Sequence, residues 1–251
     1  MSDQAVDAPP RMVPDLLREI ERLSAPELLR LKSMLVFNLR DQMIRTAIFN
    51  QARNRVEGDY FEFGVWRGAS LMLAYHTFQY AKQFFGRLVT SAHAADLWTH
   101  RFVGFDSFEG LPEPTGEDVG VYTAGDYAAS LHEVRQALAD NGVDLDRMVL
   151  VKGFFDRTLT DQTYDDHKLD KASIVHIDVD FYASTKSALR FVRRALVDGS
   201  IIIFDDWYLF RGDPDKGQQK AAREWLNENP HIRLDEYMNS GWSKAFLVRM
   251  S

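Results

Sequence analysis

Two short apolar runs, residues 173–177 and 200–204, each break off in carboxylates: Asp178 and Asp180 after the first, Asp205 and Asp206 after the second. The stretch between them, 185–197, carries apolar residues at helical spacing. A strand–helix–strand unit in a parallel sheet sends both strand ends out on the same side, so the two clusters must meet at the carboxyl edge of the sheet. Carboxylates gathered at one point repel each other and lose hydration unless a cation neutralises them. Hard oxygen donors at that density suit magnesium or calcium. The plainer alternative keeps one aspartate as a helix cap and the others as solvated loop residues.

From Asp59 onward the pattern alternates strand and helix. Strand-like runs fall at 60–63, 102–105, 148–151, 173–177, 200–204, 232–237 and 245–248, and helical ones at 69–85, 129–141, 185–197 and 217–229. Five β–α alternations closed by two strands predict an α/β fold, a Rossmann-like, doubly wound, seven-stranded and mostly parallel sheet. Ahead of it, 1–13 reads as a polar, flexible arm and 14–55 as a helical extension, with helices at 14–23 and 26–50. Ser24 and Glu27 have capping-box spacing at the start of the second. This prefix carries no obvious chemistry. The domain proper is expected over 56–251.

Composition narrows the function. Apolar residues make up 45% of the 251 and aromatics 12%, enough for a large core. No cysteine occurs, which excludes disulfides, thiolate zinc sites and cysteine nucleophiles. The formal charge of −7 argues against nucleic acid as a partner. There is no apolar run near 18 residues and no charged-then-apolar leader, so no membrane partner and a cytoplasmic location are expected. A small molecule is the default ligand. Apolar helices at the amino terminus point to a homo-oligomer, with no pattern that fixes its size.

Glu62-Phe-Gly64-Val-Trp-Arg67-Gly68 ends the first strand and opens the first helix. Gly64 permits a sharp turn and Gly68 a close approach of helix and ligand. Dinucleotide enzymes carry G-x-G-x-x-G here, whereas this chain has only G-x-x-x-G behind an acidic residue, which favours a ligand with a cationic amino end over one with phosphates. Asp106, ending the second strand, is placed either to accept from ribose hydroxyls or to turn its own loop. Long loops at 107–128 and 207–216 lie on the crevice side and are candidates for lid and substrate wall. Tyr182-Ala-Ser-Thr-Lys186 matches the Tyr-x-x-x-Lys pair of short-chain dehydrogenases, yet the glycine-rich loop those enzymes need is missing. Ser184 or Thr185 is expected to cap the following helix instead.

Taken together, Glu62-Phe-Gly-Val-Trp-Arg-Gly68, Phe105-Asp-Ser-Phe-Glu-Gly-Leu-Pro112, Asp178-Val-Asp-Phe-Tyr-Ala-Ser-Thr185 and Phe204-Asp-Asp-Trp207 resemble the macrocin O-methyltransferase family over roughly 59–248. These are class I S-adenosylmethionine (SAM) enzymes acting on sugar hydroxyls of natural products. The resemblance implies that Glu62, Gly64 and Gly68 serve the methionine end of SAM and that Asp106 and Ser107 serve the ribose. It implies that Gly153, Phe154 and Phe155 line the adenine pocket and that Asp178, Asp205 and Asp206 hold Mg2+ or another divalent cation. Asp180 stands beside them as a further ligand or as the proton acceptor. Catechol-type relatives carry a lysine three residues after the first metal aspartate, where this chain has Phe181. That shifts the base role toward Asp180, with His176 a weaker candidate. The implied reaction is methyl transfer to a hydroxyl of a small, polyhydroxylated acceptor, with Asp178 and Asp180 as the catalytic pair. The alternatives are a metal-independent or nitrogen-directed methyltransferase, or a non-catalytic SAM-binding protein. The loop at 209–219 and the amino-terminal helices differ from sugar-methylating members, so the acceptor is the least secure part of the inheritance.

Overall fold

The computed structural model describes residue 24 and residues 39–88 and 100–251. The expectations for the arm, for the first helix, for 26–38 of the second and for a Ser24–Glu27 capping box fall outside the described residues. In chain order the elements are α1 (Leu39–Asn54), β1 (Asp59–Phe63), α2 (Ala69–Leu88), β2 (Phe102–Asp106), α3 (Leu131–Asp140) and β3 (Met148–Lys152). Two short helices follow, α4 (Phe155–Thr158) and α5 (Asp161–His167). Then come β4 (Ala172–Ile177), α6 (Tyr182–Val192), β5 (Leu196–Phe204), α7 (Gly217–Glu228), β6 (Ile232–Asn239) and β7 (Lys244–Met250).

The strands form one sheet in the order β3-β2-β1-β4-β5-β7-β6. All neighbours are parallel except β7, which runs antiparallel to both β5 and β6. The chain winds outward from β1 to β3 and then returns to β4, so the switch point lies between β1 and β4. That is where a doubly wound sheet binds its ligand.

The central strands are apolar on both faces, as a sheet covered by helices on each side requires. Their period of two still sorts the side chains. Phe61, Phe63, Val175, Ile177, Ile202 and Phe204 pack with Ala188, Leu189 and Val192 of α6 and Ala221 and Trp225 of α7. Tyr60, Phe102, Ile174, Ile201 and Ile203 face the other way, against Met43, Ile44 and Ala47 of α1, Leu71 and Phe78 of α2 and Leu138 of α3. Helix α1 is thus part of the core of the compact unit Arg40–Ser251. Its Gln51 is buried and donates to the carbonyls of Ser173 (2.7 Å) and Gly199 (2.9 Å).

Three local expectations need correction. Helix α6 begins at Tyr182 and ends at Val192, so Ser184 and Thr185 lie inside it and cap nothing. Thr185 Oγ1 instead donates to the carbonyl of Phe181. The cap comes from 64 residues upstream: Asp118 accepts from the backbone N–H of Tyr182 (2.9 Å) and of Ala183 (3.4 Å). A cap supplied by a distant loop leaves no trace in local spacing. Strand β5 starts at Leu196, within the predicted helix, because its first turn of apolar residues fits either period. Helices α4 and α5, of four and seven residues, are too short and polar to register as periodic.

Candidate functional site

Strand register sets the site. Phe105, Phe63, Ile177 and Phe204 are mutual partners across β2, β1, β4 and β5. The next residue on each strand is therefore Asp106, Gly64, Asp178 and Asp205, four motif residues in one row along the carboxyl edge. Backbone bonds continue the ladder through this row: Gly64 N–H to Phe105 (2.9 Å), Asp178 N–H to Phe63 (2.9 Å) and Asp205 N–H to Ile177 (2.9 Å). At about 4.8 Å between strands, the row spans the switch point with the two carboxylates adjacent on one side of it.

Gly64 is required on two counts. Its φ of +84° suits glycine, and a Cβ there would fall 1.8 Å from the carbonyl oxygen of Asp178. Asp106 organises the same edge. It accepts from the backbone N–H groups of Val65 (2.7 Å), Trp66 (2.9 Å) and Phe108 (2.7 Å), which ties the turn after β1 to the loop after β2. Trp66, Phe108 and Asp180 all hold left-handed backbone just beyond β1, β2 and β4. Such strain in non-glycine residues persists where the surroundings fix it, and it clusters at functional sites.

The row opens into a crevice of about 1080 Å³. Gly64, Asp106, Ser107, Phe154 and Phe155 line one end of it, and Asp178, Asp180, Asp205 and Asp206 the other. Three expected residues stand behind its surface. Glu62 is fully buried, accepting from Tyr60 Oη (2.7 Å) and Ser70 Oγ (2.9 Å). Gly68 faces α3, where a Cβ would touch Val134 at 3.4 Å and Leu138 at 3.6 Å. Gly153 donates its N–H to the carbonyl of Asp106 at 2.9 Å.

The acidic end is electrostatically loaded. Burial pushes Asp178 up to about 8, helped by the neighbouring Asp205 charge. Burial likewise raises Asp180 to about 6, against the opposing effect of the Tyr122 hydroxyl. Asp206 rises for the same reasons, burial first and then Asp180 and Asp178. Asp205 goes the other way: burial works against its charge, yet contacts with His176 and Arg40 hold it below the usual carboxylate range. His176 lies in β4 between two acids, with Nδ1 3.4 Å from Glu62 and Nε2 3.5 Å from Asp205. Burial disfavours its charge, but the two carboxylates prevail and lift it to about 10. The imidazolium is then a counter-ion, and the donors left facing the crevice are oxygens.

Further contacts fix those oxygens. Ser243 Oγ donates to Asp205 Oδ1 (3.1 Å), and Asp206 Oδ2 accepts from the Asp180 N–H (3.0 Å). Buried Gln218 of α7 accepts from the Asp206 N–H (3.0 Å) and donates to the Ile177 carbonyl (3.1 Å). One ring nitrogen of His176 and one oxygen each of Asp178 and Asp205 lie within 4.8 Å of one another. The raised Asp178 of that cluster and two further raised carboxylates beside it, Asp180 and Asp206, offset on the protein side by Arg40 and His176, fit a hard divalent cation.

A family model described as macrocin-O-methyltransferase (TylF) matches residues 20–219. The chain belongs to that family. The 8-demethyl-8-(2,3-dimethoxy-alpha-L-rhamnosyl)-tetracenomycin-C 4'-O-methyltransferase of Streptomyces olivaceus is 30% identical over 162 residues, 61% of this chain and 54% of that protein. Demethyldecarbamoylnovobiocin O-methyltransferase of Streptomyces niveus is 28% identical over 177 residues, 66% of this chain and 59% of that one. The chain thus spans little more than half the length of the curated relatives it matches. The solved structure of the O-methyltransferase NovP superposes with a TM-score of 0.65 at 20% identity, covering 84% of this chain and 80% of that chain. The fold is that of class I methyltransferases, as the motifs implied.

Sequence reasoning overlooked several participants. Arg40, on the helix that seemed to lack chemistry, reaches the carboxylates: its Nη1 lies 3.4 Å from both Asp178 and Asp205. Nothing in its local pattern announced that, since the contact spans more than 130 residues. Asp118 and Gln218 act through backbone groups of remote elements and were equally silent. No helix among the described residues is long and apolar enough to cross a membrane.

Proposed function

We propose that this protein is a divalent-cation-dependent O-methyltransferase that moves a methyl group from SAM to a hydroxyl of a sugar carried by a natural product. The observation that carries this reading is the single row Asp106–Gly64–Asp178–Asp205, which joins a nucleotide-type end and an acidic end in one crevice. A volume of about 1080 Å³ exceeds the roughly 300–1,000 Å³ usual for one drug-sized ligand, as a cofactor and an acceptor bound together require. The names of the two Streptomyces relatives support the oxygen acceptor, and that of the first supports a sugar.

In this reading Gly64 lets the cofactor's amino-acid end approach the backbone, with Glu62 and Gly68 shaping the wall behind. Asp106 retains lone-pair capacity for ribose hydroxyls after its backbone bonds, and Ser107 supports it. Phe154 and Phe155, held by the turn at Gly153, flank the base. Asp178, Asp205 and Asp206 would hold Mg2+ or a similar ion. Bound SAM would supply the methyl group, and the cation would polarise the acceptor oxygen. Asp180 takes the acceptor's proton, its raised pKa suiting a base that works near neutrality. Most of the acceleration comes from the crevice walls aligning the two ligands.

The test is calorimetric. SAM and S-adenosylhomocysteine are titrated into chelator-stripped protein, then again with magnesium and a panel of glycosides. Micromolar binding of both nucleotides, with methyl transfer that chelator abolishes, is the expected result. Absence of nucleotide binding would overturn the reading. Transfer that survives chelation would favour the metal-independent alternative, in which Arg40 supplies the positive charge beside Asp178 and Asp205.

A further inference from the structure

The side chain of Trp242 packs on no other ring among the described residues. It sits at the tip of the β6–β7 hairpin, lines the crevice and is 75% exposed. The other described tryptophans have partners. Trp225 is buried, Trp207 packs on Phe204 and Phe246, and Trp66 meets Tyr127 edge-on at 5.5 Å. No ring or cation contact is seen for Trp242 among the described residues.

The tip that carries it is nevertheless tightly built. Ser240 Oγ accepts from the N–H groups of Trp242 (3.4 Å) and Ser243 (2.9 Å), and Asn239 accepts from the Gly241 N–H (2.8 Å). The Trp242 carbonyl accepts from the N–H of Tyr208, on the loop after β5 (3.2 Å), while Asn239 donates to the Tyr208 hydroxyl (2.7 Å). The next residue, Ser243, holds Asp205. A rigid hairpin therefore presents a bare indole one residue from a group that grips a proposed cation ligand.

We infer that Trp242 is the acceptor platform: the sugar to be methylated sits at the aspartates, and a flat ring attached to that sugar stacks on the indole. This rests on the O-methyltransferase reading and adds the substrate class, a glycoside with an aromatic or similarly flat aglycone. The argument is positional. An indole offers a large, stiff apolar face that loses little entropy on binding. The neighbouring Ser243 bonds Asp205, which ties the hairpin that carries the indole to the acidic end of the crevice. At about 1080 Å³ the crevice exceeds the roughly 300–1,000 Å³ usual for a single ligand.

The probes are p-nitrophenyl and methyl glycosides of the same sugar, titrated into magnesium-loaded, S-adenosylhomocysteine-bound protein. Wild type should bind the aryl glycoside about 10- to 100-fold more tightly than the methyl one. Trp242→Ala should abolish that preference, leaving the affinity for S-adenosylhomocysteine and for the methyl glycoside within about twofold, and Trp242→Phe should keep most of it. Where transfer is measurable, Trp242→Ala should raise KM for the aryl glycoside without lowering kcat.

An aryl preference that is absent from wild type or survives in Trp242→Ala would overturn the inference. So would a change in oligomer size on gel filtration of Trp242→Ala, since the indole would then be a subunit contact. S-adenosylhomocysteine binding in the same samples reports on the underlying enzyme reading separately. Its loss in wild type would reject that reading, whereas its retention without aryl preference rejects only the platform.

Discussion

Removing the long-range cap on α6 gives the sharpest test of how the crevice wall is held. Asp118 is 1% exposed and sits in a short turn, Gly116–Asp118, within the 107–128 loop. Its carboxylate accepts the first free N–H groups of α6, where the N-cap residue Phe181 supplies no side-chain bond. Asp118→Ala removes a cap contributing about 1 kcal/mol and a favourable charge at the helix start of about 0.5 kcal/mol. The contact to Ala183, at 3.4 Å, adds little. The expected loss is about 1–2 kcal/mol, or a fall in Tm of about 3–8 °C for a unit of this size. Burial already raises the Asp118 pKa, so its charge is not cost-free, and Asp118→Asn should lose no more than about 1 kcal/mol. Thermal unfolding followed by circular dichroism measures both. The loop also contributes Leu111, Pro112, Tyr122 and Tyr127 to the crevice, so the alanine variant should raise KM for the acceptor as well. A melting point within 1 °C of wild type for Asp118→Ala, or equal losses for the two variants, would refute the cap.

Other outcomes follow from the same geometry. Asp205→Asn should lower kcat by about 100-fold or more while SAM affinity, measured by calorimetry, changes less than about threefold; equal loss of both would sink the division of the crevice into two ends. Arg40→Gln should tighten Mn2+ or Mg2+ binding several-fold, because the guanidinium shares the Asp178 and Asp205 oxygens with the cation; unchanged or weaker binding would contradict that competition. His100, packed on Phe78 at 4.6 Å, has its pKa lowered to about 4, by burial first and then by Arg147. A histidine depressed below its unfolded value of about 6.5 stabilises fully above pH 6.5 and loses that contribution as pH falls toward 4. The raised carboxylates of the crevice titrate in the same window and act the other way, so the readout is the difference: in urea unfolding the stability of wild type relative to His100→Phe should fall by about 2 kcal/mol between pH 7 and pH 5, and an unchanged difference would refute the assignment.

The sequence alone determined the layers and the chemistry that local pattern can encode. Strand runs with a period of two, helices with a period of 3.6 and a Gly64 that tolerates no side chain are each written within a few neighbouring residues. So are Asp178 and Asp205, because an acid placed directly after an apolar strand must emerge at the sheet edge whatever the remainder of the chain does. Parallel crossover geometry then brings the two to the same side. What local pattern does not encode is which remote group completes each end. Strand register puts Asp106 in line with Gly64 and Asp178. Helix α1 packs so that Arg40 arrives from more than 130 residues away, and the 107–128 loop lends Asp118 to α6. The β6–β7 turn brings Ser243 to Asp205 and leaves Trp242 bare. Glu62 shows the divide most plainly: its motif marked it for the ligand, and only the packed core, by closing Tyr60, Ser70 and His176 around it, turned that carboxylate inward. Local propensity acts through neighbours in the chain, whereas these contacts exist only once loop entropy has been overcome and distant elements have met.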